Sequence, residues 1–233
     1  MSAILSNLQV VQLAIKNAAL AAQRDPASVH LLAVSKTFPE SDIRAAYAAG
    51  QRAFGENYLQ ESLLKIVAMK DVAIEWHFIG PIQSNKTRDI AESFAWAHGI
   101  ERLKIAERLS AQRPQNLPPL NVCLQVNVSG EASKSGVMPA EVESLAHALT
   151  KLPGIKLRGL MAIPAPCDDP RLQRQPFAQL AAIFRTLNAQ GLALDTLSMG
   201  MSHDFPAAIA EGATLVRIGT AIFGVRPPAT VAE

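Results

Sequence analysis

Hydrophobic residues in this chain alternate between two patterns. Short, nearly unbroken apolar runs such as Leu31-Leu-Ala-Val34, Ile74-Glu-Trp-His-Phe-Ile79 and Leu120-Asn-Val-Cys-Leu-Gln-Val-Asn-Val128 read as buried strands. A strand covered on both faces of a parallel sheet shows such a run rather than strict alternation. Between them lie stretches with apolar residues every three or four positions. In the first of these, Ile4, Leu8, Val11, Ile15 and Ala19 share one face, with Asn7, Gln12 and Lys16 opposite. That stretch, residues 1–24, is expected to be a helix packed on the rest of the fold, not an export signal, because no basic segment precedes it.

The order predicted downstream is regular. A helix over about Glu40–Ala49 follows the first strand, with Gly50 as its stop, and Thr37 with Glu40 fits a capping box in which Pro39 occupies the first turn. Strands follow at Ala53–Glu56, Ile74–Ile79, Phe94–Ala97, Leu120–Val128, Lys156–Ala162, Leu194–Ser198 and Leu215–Ile218. Helices separate them, one capped by Ser84 and one by Ser202 or Asp204. About eight strands alternating with helices, without a compositional break, predict a (β/α)8 barrel spanning 1–233 as a single domain. Such barrels take about 250 residues, so little chain is left over. A doubly wound open sheet is the alternative, but no Gly-rich loop follows the first strand.

Composition narrows the partners. The chain has 233 residues, 49% hydrophobic and 18% charged, with a net charge of +2 and scattered basic residues, which argues against nucleic acid. No apolar run approaches the ~18 residues needed to cross a bilayer. Cys123 and Cys167 have no metal-ligand or disulfide spacing, so both are expected to be reduced thiols in a cytoplasmic protein.

Chemistry in a barrel of this kind sits at the carboxyl ends of the strands. The first strand ends in Lys36, an odd place for a solvated charge, since burial favours the neutral, nucleophilic amine. Asn57 follows the second strand. Ser198-Met-Gly-Met-Ser-His-Asp204 follows the seventh, and Arg217-Ile-Gly-Thr220 closes the eighth. Small and hydroxyl-bearing turns at helix starts offer backbone N–H groups to an anion. Each feature alone has a plain reading: a snorkelling lysine, an ordinary cap, a salt-bridge arginine, and His77 as a satisfied core histidine. Together, a reactive lysine and a phosphate cradle across the same rim suit an aldehyde-bearing phosphate ester, and pyridoxal 5′-phosphate (PLP) is the natural candidate.

These stretches also resemble a known family. Ala33-Val-Ser-Lys-Thr37, Phe54-Gly-Glu-Asn-Tyr58, Trp76-His-Phe-Ile-Gly80, Gln83-Ser-Asn-Lys86, Lys134-Ser-Gly136, Arg158-Gly-Leu-Met-Ala162, Ser198-Met-Gly-Met-Ser202 and Arg217-Ile-Gly-Thr220 are similar to motifs of the pyridoxal phosphate homeostasis protein family, over about residues 30–226. The resemblance implies a barrel of the alanine racemase N-terminal-domain type. It implies that Lys36 holds PLP as a Schiff base, that Ser202, Gly219 and Thr220 hold its phosphate, that Arg217 faces the pyridine nitrogen and that Asn57 lines the ring pocket. It further implies a role in vitamin B6 and amino-acid balance without established turnover, with PLP-dependent enzymes as clients. Phe38 and His203 depart from the family, which commonly carries a basic or polar residue at the first position and an acidic one at the second.

Arginine opposite the pyridine nitrogen disfavours its protonation and weakens the cofactor as an electron sink. Racemisation also requires acid/base groups on both faces of the substrate carbon. Alanine racemases supply one from a tyrosine of an extra domain, which this chain has no length for. Tyr58 is the one tyrosine near the rim, and Tyr47 sits in an Ala-rich helix. A PLP-binding carrier or regulator, acting as a monomer, is therefore the primary expectation. A weak amino-acid racemase and a Schiff-base aldolase acting on a sugar phosphate are the alternatives.

Overall fold

The apolar runs pair into one closed sheet. In this computed structural model, which describes residues 3–130 and 135–225, the strands are β1 (His30–Val34), β2 (Ala53–Glu56), β3 (Glu75–Phe78), β4 (Trp96–Ile100), β5 (Leu120–Gln125), β6 (Ile155–Met161), β7 (Thr196–Ser198) and β8 (Leu215–Ile218). They lie parallel in sequence order, and β8 pairs with β1 to close the barrel. The helices are α1 (Ala3–Ala21), α2 (Glu40–Ala48), α3 (Leu59–Ala68), α4 (Thr87–Ser93), α5 (Leu103–Gln112), α6 (Val142–Leu149), α7 (Pro170–Ala189), α8 (Phe205–Ala210) and α9 (Thr220–Phe223). The expected (β/α)8 architecture is the observed one.

Side chains alternate along each strand, and the two directions differ in kind. Ala33, Phe54, Trp76, Phe78, Val122, Leu124, Leu197, Val216 and Ile218 turn outward into one apolar cluster shared with the helices. Gly55, His77, His98, Cys123, Ser198 and Arg217 alternate with them, and the cross-barrel contacts among His77, His98, Ser198 and Arg217 place these four inside. The N-terminal helix α1 buries Leu8, Val11, Ile15 and Ala19. It is tied down by Asn7 Nδ2 donating to the Ile222 carbonyl (3.0 Å), and just beyond it Arg24 Nη1 donates to the carbonyls of Ile209 and Ala213 (2.8 and 2.7 Å).

Several local expectations are corrected. Thr37 and Glu40 form no capping box. The α2 cap is Pro39, without a side-chain hydrogen bond, and Thr37 instead adopts a left-handed backbone with φ 69°. Ser84 lies within a 3-10 turn, Ser84–Lys86, and its carbonyl rather than its hydroxyl accepts from Thr87 Oγ1. Asp204 is the residue before α8, but its carboxylate folds back to accept from the Met201 N–H (2.5 Å). The fourth strand runs from Trp96 to Ile100, later than expected. Phe94 ends α4 through its N–H to the Ile90 carbonyl, and His98, beyond the expected end of the strand, is a buried interior position. Residues 131–134 of the loop after β5, including Lys134, lie outside the described residues.

Candidate functional site

The carboxyl ends of β1, β2, β7 and β8 converge on one cavity of about 260 Å³. That is small beside the ~300–1,000 Å³ typical of sites for drug-sized ligands, and suits a single substituted ring. All six residues singled out from the sequence line it: Lys36, Asn57, Ser202, Arg217, Gly219 and Thr220. Val34, Ile79 and Ile163 supply apolar walls, and Phe38, Met201 and His203 complete the rim.

Lys36 enters the cavity half-buried, two residues beyond the end of β1. Its backbone is gripped on both sides from α3. Lys65 Nζ donates to the Ser35 carbonyl (2.9 Å), and the Thr37 N–H donates to Glu61 Oε1 (2.7 Å). Lys65 Nζ also bridges Glu56 Oε1 (2.9 Å) and Glu61 Oε1 (2.5 Å), while the Ser35 hydroxyl donates to Glu56 Oε1 (2.6 Å). Burial pushes the Glu56 carboxyl above the ordinary range, against the opposing pull of Lys65 and Ser35. A β-branched residue at positive φ is strained by order ~1–3 kcal/mol and persists only where its surroundings fix it. Here the Lys65–Glu61 pair is what fixes it. Sequence reading missed this clamp, because a lysine and a glutamate four apart on an amphipathic helix look like a solvated pair. Lys65 is in fact only 7% exposed.

In the segments that follow β7 and β8, the latter the neighbour of β1, stands a cradle of donors. The backbone N–H groups of Ser202 and His203 have no acceptor among the described residues, nor have those of Thr220 and Ala221, which open α9. Gly219 lets this segment approach β1, since a Cβ there would stand 2.9 Å from the Val34 carbonyl oxygen. Ser202 and Thr220 add hydroxyls at the same place. Grouped N–H and hydroxyl donors of this kind offer the chemistry an anion requires.

Arg217 lines the same cavity and is 4% exposed. Its Nη1 donates to the Ser198 carbonyl (2.6 Å) and hydroxyl (2.8 Å), and its Nη2 to the Ala162 carbonyl (2.9 Å). Nε has no acceptor among the described residues. Burial lowers the guanidinium to about 10, leaving it charged at neutral pH. Asn57 carries an orphan, its Oδ1 being buried with no hydrogen-bond partner. Gly80 packs against this residue so closely that a Cβ would come 2.4 Å from the Asn57 carbonyl oxygen. Buried polar atoms without partners are few in folded proteins, and this one belongs to a residue of the cavity lining.

Of the two departures noted in the sequence, Phe38 is buried and packs tilted against Phe223 of α9, ring centroids 5.1 Å apart, docking the lysine loop to that helix. His203 is exposed at the rim. Neither tyrosine lines the cavity: Tyr58 caps α3 and is 52% exposed, and Tyr47 sits on α2 beneath the Arg52 guanidinium. Both cysteines are free, and burial raises the Cys123 thiol to about 12. Among the described residues there is no metal-ligating cluster, and no helix is long and apolar enough to cross a membrane.

Comparison with known proteins agrees with this geometry. Residues 10–227 match the family described as alanine racemase, N-terminal domain. The pyridoxal phosphate homeostasis protein of Pseudomonas aeruginosa is 61% identical over 226 residues, covering 97% of both chains. That of Escherichia coli is 53% identical over 229 residues, 97% of this chain and 98% of the other. The structure of PipY of Synechococcus elongatus with PLP bound superimposes with a TM-score of 0.81 at 39% identity, over 95% of this chain and 100% of that one. The alanine racemase of Corynebacterium glutamicum, at 20% identity and a TM-score of 0.68 over 99% of this chain and 62% of that one, shares the fold. This chain belongs to the pyridoxal phosphate homeostasis protein family.

Proposed function

We propose that this chain binds PLP in the cavity at the carboxyl end of the barrel and serves vitamin B6 homeostasis by holding and releasing it, without substrate turnover. The observation that carries the reading is the convergence, in the lining of one small cavity, of Lys36, the donor groups of Ser202, Gly219 and Thr220, and the polar side chains of Arg217 and Asn57. PipY, a relative with PLP bound, supports it. PLP supplies an aldehyde that condenses with a lysine amine, and an electron-withdrawing ring.

The residues divide the work by their chemistry. Lys36 is the amine, held at its angle by the Lys65–Glu61 grip on the backbone either side of it. The N–H groups around Ser202 and Thr220 take the phosphate. Arg217 is a donor through every nitrogen, so it accepts only an unprotonated pyridine nitrogen beside it. That keeps the ring a weak electron sink, which suits storage better than transamination or decarboxylation. The absence of either tyrosine from the cavity wall removes the second acid/base group that alanine racemases use. The same reading makes the protein a cytoplasmic monomer, a single domain over residues 1–233, that delivers PLP to dependent enzymes.

The test is the absorbance spectrum of the purified protein reconstituted with PLP. A visible band in the wild type that is missing from Lys36→Ala, with unchanged circular dichroism, is the expected result. A wild type without such a band after reconstitution contradicts the proposal.

A further inference from the structure

Beneath Arg217 the barrel interior holds a line of polar side chains that the binding site itself does not use. Arg217 Nη1 donates to Ser198 Oγ (2.8 Å), Ser198 Oγ meets His98 Nδ1 (2.8 Å), His98 Nε2 meets His77 Nδ1 (2.9 Å), and His77 Nε2 meets Glu75 Oε1 (2.8 Å). Four of these five residues are buried, both histidines at 1% exposure or less. Glu75 is half-exposed and borders a second, larger cavity of about 860 Å³ at the amino end of the barrel. The line therefore runs from the carboxyl-end site through the barrel to the opposite mouth.

The Glu75 end fixes its direction. Glu75, ionised, only accepts, so His77 Nε2 must carry a hydrogen. A neutral His77 then accepts at Nδ1, which requires a hydrogen on His98 Nε2. His98 in turn accepts at Nδ1 from the Ser198 hydroxyl, whose oxygen is left to accept from Arg217. Arg217, which only donates, is compatible with this assignment, because the Ser198 oxygen accepts from it while its hydroxyl hydrogen goes to His98. Burial lowers both histidines, and for His98 the nearby His77 and Arg217 add to the effect, so the neutral forms persist. The charged and titratable groups facing the line are Glu75, Arg217, Cys123 of β5, Arg158 of β6 over the Trp96 ring, and Asp204 ahead of α8.

We propose that this one-way relay, Arg217 to Ser198 to His98 to His77 to Glu75, locks both histidines as neutral Nε2–H tautomers and sets the pose of Arg217, making Ser198 and His98 positioning residues for the cofactor's ring. The second half rests on the PLP-binding reading; the first does not. A network in which every member is satisfied in one direction has no low-energy alternative, so it fixes the guanidinium plane more tightly than backbone carbonyls alone.

The test begins on protein without PLP. Side-chain 15N NMR of the histidines between pH 5.5 and 8 is expected to show His77 and His98 neutral with the hydrogen on Nε2. An Nδ1–H tautomer or an imidazolium at either residue overturns the relay. On reconstituted protein, Ser198→Ala is expected to weaken PLP binding about tenfold, to shift the absorbance maximum and to mix the His98 tautomers, while Ser198→Thr restores all three. Unchanged affinity and absorbance in Ser198→Ala overturn the positioning role. Loss of the tautomer order points to the relay, whereas a wild type that binds no PLP points to the site, so the two failures are told apart.

Discussion

The shell between barrel and helices and the interior of the barrel are built from the same strands, yet they obey different rules. The shell is a continuous apolar cluster in which Phe54, Ile90, Leu109 and Phe177 are fully buried. The interior holds Arg217, Ser198, His98 and His77 in hydrogen-bonded series, with Trp96, Cys123 and Met161 as a small apolar island beside them. Stability comes mainly from the first region, because apolar burial is the larger and less conditional contribution. Orientation comes from the second, where each polar group has a required partner. The difference predicts that shell substitutions lower stability without changing how the site reports on PLP, and that interior substitutions change that report.

Phe54→Ala is the largest expected effect on the shell side, about 3–5 kcal/mol lost in urea unfolding, with the PLP absorbance of the folded fraction unchanged. A shifted absorbance maximum would break the separation. Lys65→Met tests the border between the regions. It strands the buried Glu56 carboxylate and should cost about 3–5 kcal/mol, largely recovered by adding Glu56→Gln.

The interior also predicts a pH dependence. Burial places both histidines below their usual 6.5, so the unfolded chain takes up protons there first. Their contribution to stability is therefore full above pH 6.5 and is lost as pH falls from there through the folded values. Each tenfold difference in proton affinity between the folded and unfolded chain is worth about 1.4 kcal/mol. The urea midpoint should drop between pH 7 and 5, and His98→Gln should flatten that slope. An equally steep slope in the variant would remove the histidines from the account. Thr37→Gly separates strain from function: relief of the left-handed backbone should raise stability by about 1 kcal/mol while weakening PLP binding, because Lys36 loses its fixed approach. At the small end, Arg158 binds Asp195 bidentately at the amino end of the barrel. Burial raises the Asp195 carboxyl, but Arg158 and Thr196 outweigh it and hold it low. Much of that pair is exposed, so Asp195→Asn should cost no more than about 1 kcal/mol.

The shell was the legible part of the sequence. Parallel strands announce themselves as apolar runs, and the rim residues Lys36, Asn57, Ser202, Arg217, Gly219 and Thr220 follow from where those runs end. What escaped were features set by tertiary partners. Thr37 looked like a cap because its left-handed backbone depends on Glu61, twenty-four positions away. The role of Lys65 leaves no mark in the sequence, because its partners Ser35 and Glu56 lie on other elements. His77 fits a satisfied core histidine, which it is, but its partner His98 stands beyond the expected end of the fourth strand. A hydrogen bond between residues twenty-one apart on neighbouring strands leaves no periodic trace.

The central claim, that Lys36 is the amine that holds PLP, is tested most directly by chemical trapping. Reconstituted protein is reduced with borohydride, digested, and its peptides mapped by mass spectrometry. A pyridoxyl group on Lys36 at near-stoichiometric yield is the predicted result. A modified lysine elsewhere with Lys36 unmodified would contradict it.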